Sequence, residues 1–106
     1  MSWLIKQEGK TTIVVLDSVM GIHNAADFYQ AVLPLAGISE PVRVDAHAAT
    51  SVHTSIMQIL YALSQAVPDF GVTEASEDFR AAEARVGFSL VRGADVGAPA
   101  NQSGRV

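Results

Sequence analysis

The chain contains no cysteine, which excludes disulfides, thiolate metal sites and cysteine nucleophiles and leaves the redox compartment open. No apolar run approaches the roughly 20 residues a helix needs to span a bilayer, so direct membrane insertion is not expected. Basic residues are few: Lys6, Lys10, Arg43, Arg80, Arg85, Arg92 and Arg105 are scattered without a stripe or cluster, and the net charge is −4. A phosphate backbone has nothing to track, and nucleic acid is not an expected partner. The first ten residues, MSWLIKQEGK, carry polar and acidic side chains too early for a signal peptide, so the expected location is cytoplasmic.

What remains is enough for one core. At 106 residues, 49% hydrophobic and 17% charged, the chain reads as a single domain with neither the length for two nor the composition of a disordered polymer. From residue 92 the composition changes to Gly, Ala, Pro and small polar residues without an apolar period. The expected organisation is therefore a domain over 1–91 and a flexible tail over 92–106.

Along the chain, residues 3–6 and 11–16 read as two strands around a Glu8-Gly9-Lys10 turn, the second dense in β-branched residues. Asn24 is the expected N-cap of a helix over 25–33 with Phe28, Val32 and Leu35 facing inward, and Pro34 and Gly37 punctuate its end. A strand follows at 42–44. Thr50 or Ser51 is then the expected cap of a long amphipathic helix that runs to Ala66 and is stopped by Pro68 and Asp69. On that helix Ile56, Ile59, Leu60, Leu63, Ala66 and Val67 fall on one stripe at about 100° per residue, with Thr54, Gln58, Tyr61 and Gln65 opposite. Another strand is predicted at 70–73, and then a helix capped by Ser76 with Glu77 and Asp78 in its first turn, ended by Gly87. Residues 88–91 are expected to form a last short strand or simply to pack down. The order predicts an α/β fold, a mixed sheet of four to five strands with about three helices packed against it.

Three catalytic readings fail on spacing. Ser18, Ser39 or Ser51 with Asp17 or His23 lacks any nucleophile elbow, and no phosphate-binding glycine loop is present. Asp45, His47 and His53 match no recurrent ligand motif, so no metal and no other cofactor is expected. With no clustered acid, base and nucleophile, the protein is not expected to be an enzyme.

The one stretch with a specific pattern runs from 41 to 67, where a strand leads through a small-residue loop into a helix whose first turn carries hydroxyls and a histidine. Val42-Arg43-Val44-Asp45, His53-Thr54-Ser55 and Gln58-Ile59-Leu60 resemble the STAS domain family, in which a hydrophobic strand ends in Asp and an Asp-Ser/Thr pair opens an amphipathic helix. His53 stands where the family has its acidic residue, and Ile56 where a glycine often follows. The resemblance implies a STAS-type fold and a non-catalytic bacterial protein–protein interaction domain, a phosphoprotein of signal transduction similar to the anti-sigma factor antagonists. It implies phosphoacceptor candidates at Thr54 and Ser55, and a partner-binding face with Asp45, His53, Met57, Gln58 and Tyr61. The implied partner is an anti-sigma-type serine kinase in a partner-switching cycle. The alternative is an ABC-type ATPase, for which the chain would be a constitutive accessory subunit of lipid-transport type.

Overall fold

A computed structural model of the chain describes residues 3–87. Strands β1 (Trp3–Glu8) and β2 (Thr11–Leu16) form an antiparallel hairpin, with Trp3 opposite Leu16 and Glu8 opposite Thr11. The two-residue connection works because Gly9 takes a φ of +64°, a left-handed conformation that costs glycine little. β4 (Val42–Ala46) pairs in parallel with β2, and β6 (Phe70–Ala75) in parallel with β4, so the sheet order is β1-β2-β4-β6. Period-two alternation puts Thr12, Val14 and Leu16 of β2 and Val42, Val44 and Ala46 of β4 on the buried face.

The two crossovers each supply a helix, and a further helix follows β6. α1 (Ala25–Val32) follows β2, α2 (Thr54–Ala66) follows β4, and α3 (Glu77–Val86) follows β6. Phe28, Leu16, Met20, Ile56, Met57, Leu60 and Phe79 are fully buried between helices and sheet. Trp3 meets Phe28 edge-on, ring centres 5.4 Å apart at 74°. Such a pair adds about 0.5–1.5 kcal/mol beyond the area it buries. α3 begins as the residues predict: the Ser76 hydroxyl accepts the Phe79 N–H at 3.0 Å, and Gly87 closes the helix at φ +85°.

Four expectations need correction. A second, two-stranded parallel sheet joins β3 (Val19–Met20) to β5 (Ser51–Val52), where the sequence reads as a loop and a helix cap. Thr50 and Ser51 therefore do not cap α2. Their amides both donate to the Ser18 carbonyl, at 2.7 and 3.0 Å, and the Thr50 hydroxyl donates to the same oxygen at 2.8 Å. Asn24 does not cap α1 through its side chain either. It lies in a 3-10 turn, Ile22–Asn24, and its Oδ1 accepts the Gly21 N–H at 2.9 Å. Finally, the buried stripe of α2 is Ile56, Met57, Leu60, Leu63 and Ser64, turned from the predicted one: Ile59 is half-buried and Ala66 exposed. α2 packs against both α1 and α3, and Met57 lies fully buried in the core. The predicted strand at 88–91 and the tail at 92–106 lie outside the described residues.

Candidate functional site

Parallel strands gather functional residues by topology. The carboxyl ends of β2 and β4 and the start of α2 lie at one end of the sheet, the usual crevice for recognition in open α/β folds. A bulge sharpens that end: Val44 pairs with Val72 but Asp45 with Glu74, so Thr73 is the extra residue, and its hydroxyl donates to the Val44 carbonyl at 3.3 Å.

The loop that follows is tied down at several points. Asp45 Oδ1 accepts the His47 N–H at 3.1 Å and meets His47 Nδ1 at 2.7 Å. Partial burial pushes the Asp45 carboxyl up. The bonds from the His47 ring and amide, with the attraction of His47 and Lys6, outweigh it and hold the group below its ordinary value. Further on, the Ser76 hydroxyl donates to the Ala49 carbonyl at 2.6 Å, and the Ser76 amide donates to the Ala46 carbonyl. Strand β4, its loop and the start of α3 are thus one braced unit.

His53 opens α2. Its Nδ1 accepts the Ser55 N–H at 3.0 Å and lies 2.9 Å from Ser55 Oγ, so the imidazole supplies the cap usually given by Ser, Thr, Asp or Asn. Ser55 is consequently engaged at both its amide and its hydroxyl. Thr54 is exposed, and its hydroxyl has no hydrogen-bond partner among the described residues. Gln58 and Tyr61 continue the exposed side of the helix, Tyr61 with 39% of its surface accessible.

Five of the seven residues expected on this surface are thus on the outer side at the start of α2, His53 at its cap and Thr54, Ser55, Gln58 and Tyr61 in its first two turns. Asp45 sits at the strand end and is half-buried in its own pair with His47. Met57 is a correction: it is fully buried in the core, so it supports the helix from beneath and is not a contact residue. Asp45, His47 and His53 form no three-ligand group among the described residues. Two residues escaped the sequence reading. Val19 and Ile22 are 52% and 65% exposed, on β3 and the adjoining 3-10 turn that packs on α2, and together they add an apolar margin to the site. Large apolar residues in a predicted loop were the available signal.

No family model matches the chain, and no curated protein matches it. Among solved structures it is similar to the crystal structure of an anti-sigma factor antagonist from Mycobacterium paratuberculosis. The TM-score is 0.70 at 20% identity, over 84% of this chain and 83% of that one. The chain has the STAS-type fold. In this STAS-type domain the four-stranded mixed sheet, the small second sheet and three helices account for the described residues. At that identity the likeness carries the fold, and the roles of Thr54, Ser55 and their neighbours rest on the geometry above. Among the described residues no helix is long and apolar enough to cross a membrane.

Proposed function

We propose that this STAS-type domain is a non-catalytic, cytoplasmic partner-switching regulator of anti-sigma factor antagonist type. Its partner, an anti-sigma-type serine kinase, docks over the first two turns of α2 and the apolar margin of Val19 and Ile22. The observation that carries this reading is the Thr54 hydroxyl, exposed and without a hydrogen-bond partner among the described residues, at the helix start of a fold shared with an anti-sigma factor antagonist. Thr54 is favoured over Ser55 as phosphoacceptor because the Ser55 hydroxyl lies in the His53 cap. A docked partner must enclose Thr54. The neutral hydroxyl can be covered at the expense of one hydrogen bond, whereas a phosphate brings nearly two negative charges into the contact.

The test pairs affinity with chemistry. Thr54→Glu should weaken partner binding by more than about tenfold, or about 1.4 kcal/mol, while Thr54→Ala leaves it nearly intact. Mass spectrometry after incubation with the cognate kinase should find phosphate on Thr54. A second reading, the constitutive accessory subunit of an ABC-type ATPase, is supported by His53, an imidazole bonded to Ser55 where the resembling family carries a carboxylate. Unmodified Thr54 and Ser55, with Thr54→Glu and Ser55→Glu both binding as wild type, would remove the switch and leave that accessory role.

A further inference from the structure

The helices of this chain start in different ways. α3 is capped by a hydroxyl, α2 by an imidazole and α1 by no side chain. Of the two capping groups, only the imidazole can gain a proton in the range of about pH 5 to 8. Nδ1 of His53 accepts the Ser55 N–H at 3.0 Å and lies 2.9 Å from Ser55 Oγ, and the residue is exposed, so protons reach the ring from solvent. A protonated ring carries hydrogen on both nitrogens and accepts nothing. Nδ1 then meets the Ser55 N–H donor to donor, and the amide loses its partner. No earlier residue can step into the cap position, because Thr50 and Ser51 are pinned to the Ser18 carbonyl where β5 pairs with β3.

We propose that the His53 cap is a proton-operated switch on α2: the neutral ring closes the first turn, and the protonated ring opens it. The stability that the cap contributes is present while the ring is neutral and is lost as pH falls. Charge makes the change large for this helix. α2 contains no Asp, Glu, Lys or Arg, and Tyr61 is its one titratable side chain. β3 and β5 bring no charged group. The Ile22–Asn24 turn brings His23, and α1 brings Asp27 and Tyr29. α3 brings Glu77, Asp78, Arg80, Glu83 and Arg85, and the Arg85 guanidinium lies 3.4 Å from the carbonyl of Val52, the residue before His53. A proton on His53 thus sets a full positive charge at the positive end of an otherwise uncharged helix, and opening the turn relieves it. For function the inference rests on the docking reading above: a partner seated on the first two turns of α2 meets a closed turn near neutral pH and an open one in mild acid, with no phosphate involved.

The test uses the chain alone, so it does not depend on whether a partner docks there. In an NMR titration from about pH 8 to about pH 5, the Ser55 amide signal should move with the His53 ring signals at one shared midpoint. Protection of that amide against exchange should fall by about fivefold, the worth of a helix cap. His53→Asn supplies a cap that cannot titrate, so its Ser55 amide should hold still. Over the same range the unfolding constant of the wild type, relative to that of His53→Asn, should rise by about fivefold. His23→Asn and His47→Asn should keep the wild-type response. A Ser55 amide that ignores the His53 ring would overturn the proposal, as would a response that survives in His53→Asn or disappears in His23→Asn. If His53→Asn fails to fold, the wild-type titration decides alone. Should amide and ring titrate together while affinity for the cognate kinase is the same at both ends of the range, the switch holds and docking over this turn fails.

Discussion

His53 and Ser55 share one ring nitrogen: Nδ1 of His53 accepts the Ser55 backbone N–H at 3.0 Å and sits 2.9 Å from the Ser55 hydroxyl. The helix proposed to meet a partner is therefore started by a side chain that is itself exposed at its first turn. The bond requires an unprotonated Nδ1, and a cation at that place would also face the positive end of the helix dipole.

Removing that cap has a defined cost. His53→Ala should destabilise the domain by roughly 0.5–2 kcal/mol, whereas His53→Asp should retain or improve stability by supplying a carboxylate acceptor. Urea unfolding of the three proteins measures the difference. Equal stability of His53→Ala and wild type would show that the imidazole is not the cap.

The inward stripe of α2 makes a contrasting pair. Met57→Ala and Leu60→Ala should each cost about 2–5 kcal/mol, because both side chains are fully buried and leave a cavity. Ala66→Glu should be tolerated with a change within about 0.5 kcal/mol, since Ala66 is exposed. The predicted stripe with Ala66 inside would reverse the order of Met57→Ala and Ala66→Glu.

Ser76 joins two elements with one hydroxyl, accepting from Phe79 and donating to Ala49. Ser76→Ala loses both bonds and should destabilise by about 1–3 kcal/mol. Hydrogen exchange should then be faster at the loop amides of 47–50 as well as at the start of α3, while the β1–β2 hairpin is unaffected.

The Asp45 carboxyl sets an acid dependence with a fixed sign. Its value is held below the ordinary 3.8 in the folded protein, so the unfolded chain binds the proton first as pH falls. The stability this contributes is complete above 3.8 and is lost as pH drops below it and through the folded value. Asp45→Asn should remove that part of the acid dependence, with the difference from wild type shrinking toward low pH. Chemical denaturation at a series of pH values tests it, and a difference that grows on acidification would reverse the assignment.

Local chemistry made several elements legible in the residues alone. The β-branched run of β2 alternates with period two because a strand presents successive side chains to opposite faces, and it forms as read. Ser76 with Glu77 and Asp78 marks the start of α3, because a hydroxyl and two carboxylates are what free N–H groups and the helix dipole require. The strand–helix stretch carrying His53, Thr54 and Ser55 was likewise evident, since its pattern lies in consecutive residues.

Other features depended on residues distant in the chain. β3 and β5 are two residues each, too short to show any period, and they are held by bonds between distant segments: the Ser18 carbonyl collects the Thr50 and Ser51 amides, and the Met20 carbonyl collects the His53 amide. With Thr50 and Ser51 engaged in that pairing, the cap of α2 falls at His53. A 100° periodicity defines the width of a helix's apolar stripe, but its centre is set by the neighbours, and here Met57 is buried while Ala66 stays at the surface. The chain's own residues thus determined which segments become strands and helices and where the hydroxyls stand. Tertiary packing decided which of those side chains remain accessible to a partner, because burial depends on what is placed opposite, and that information lies elsewhere in the sequence.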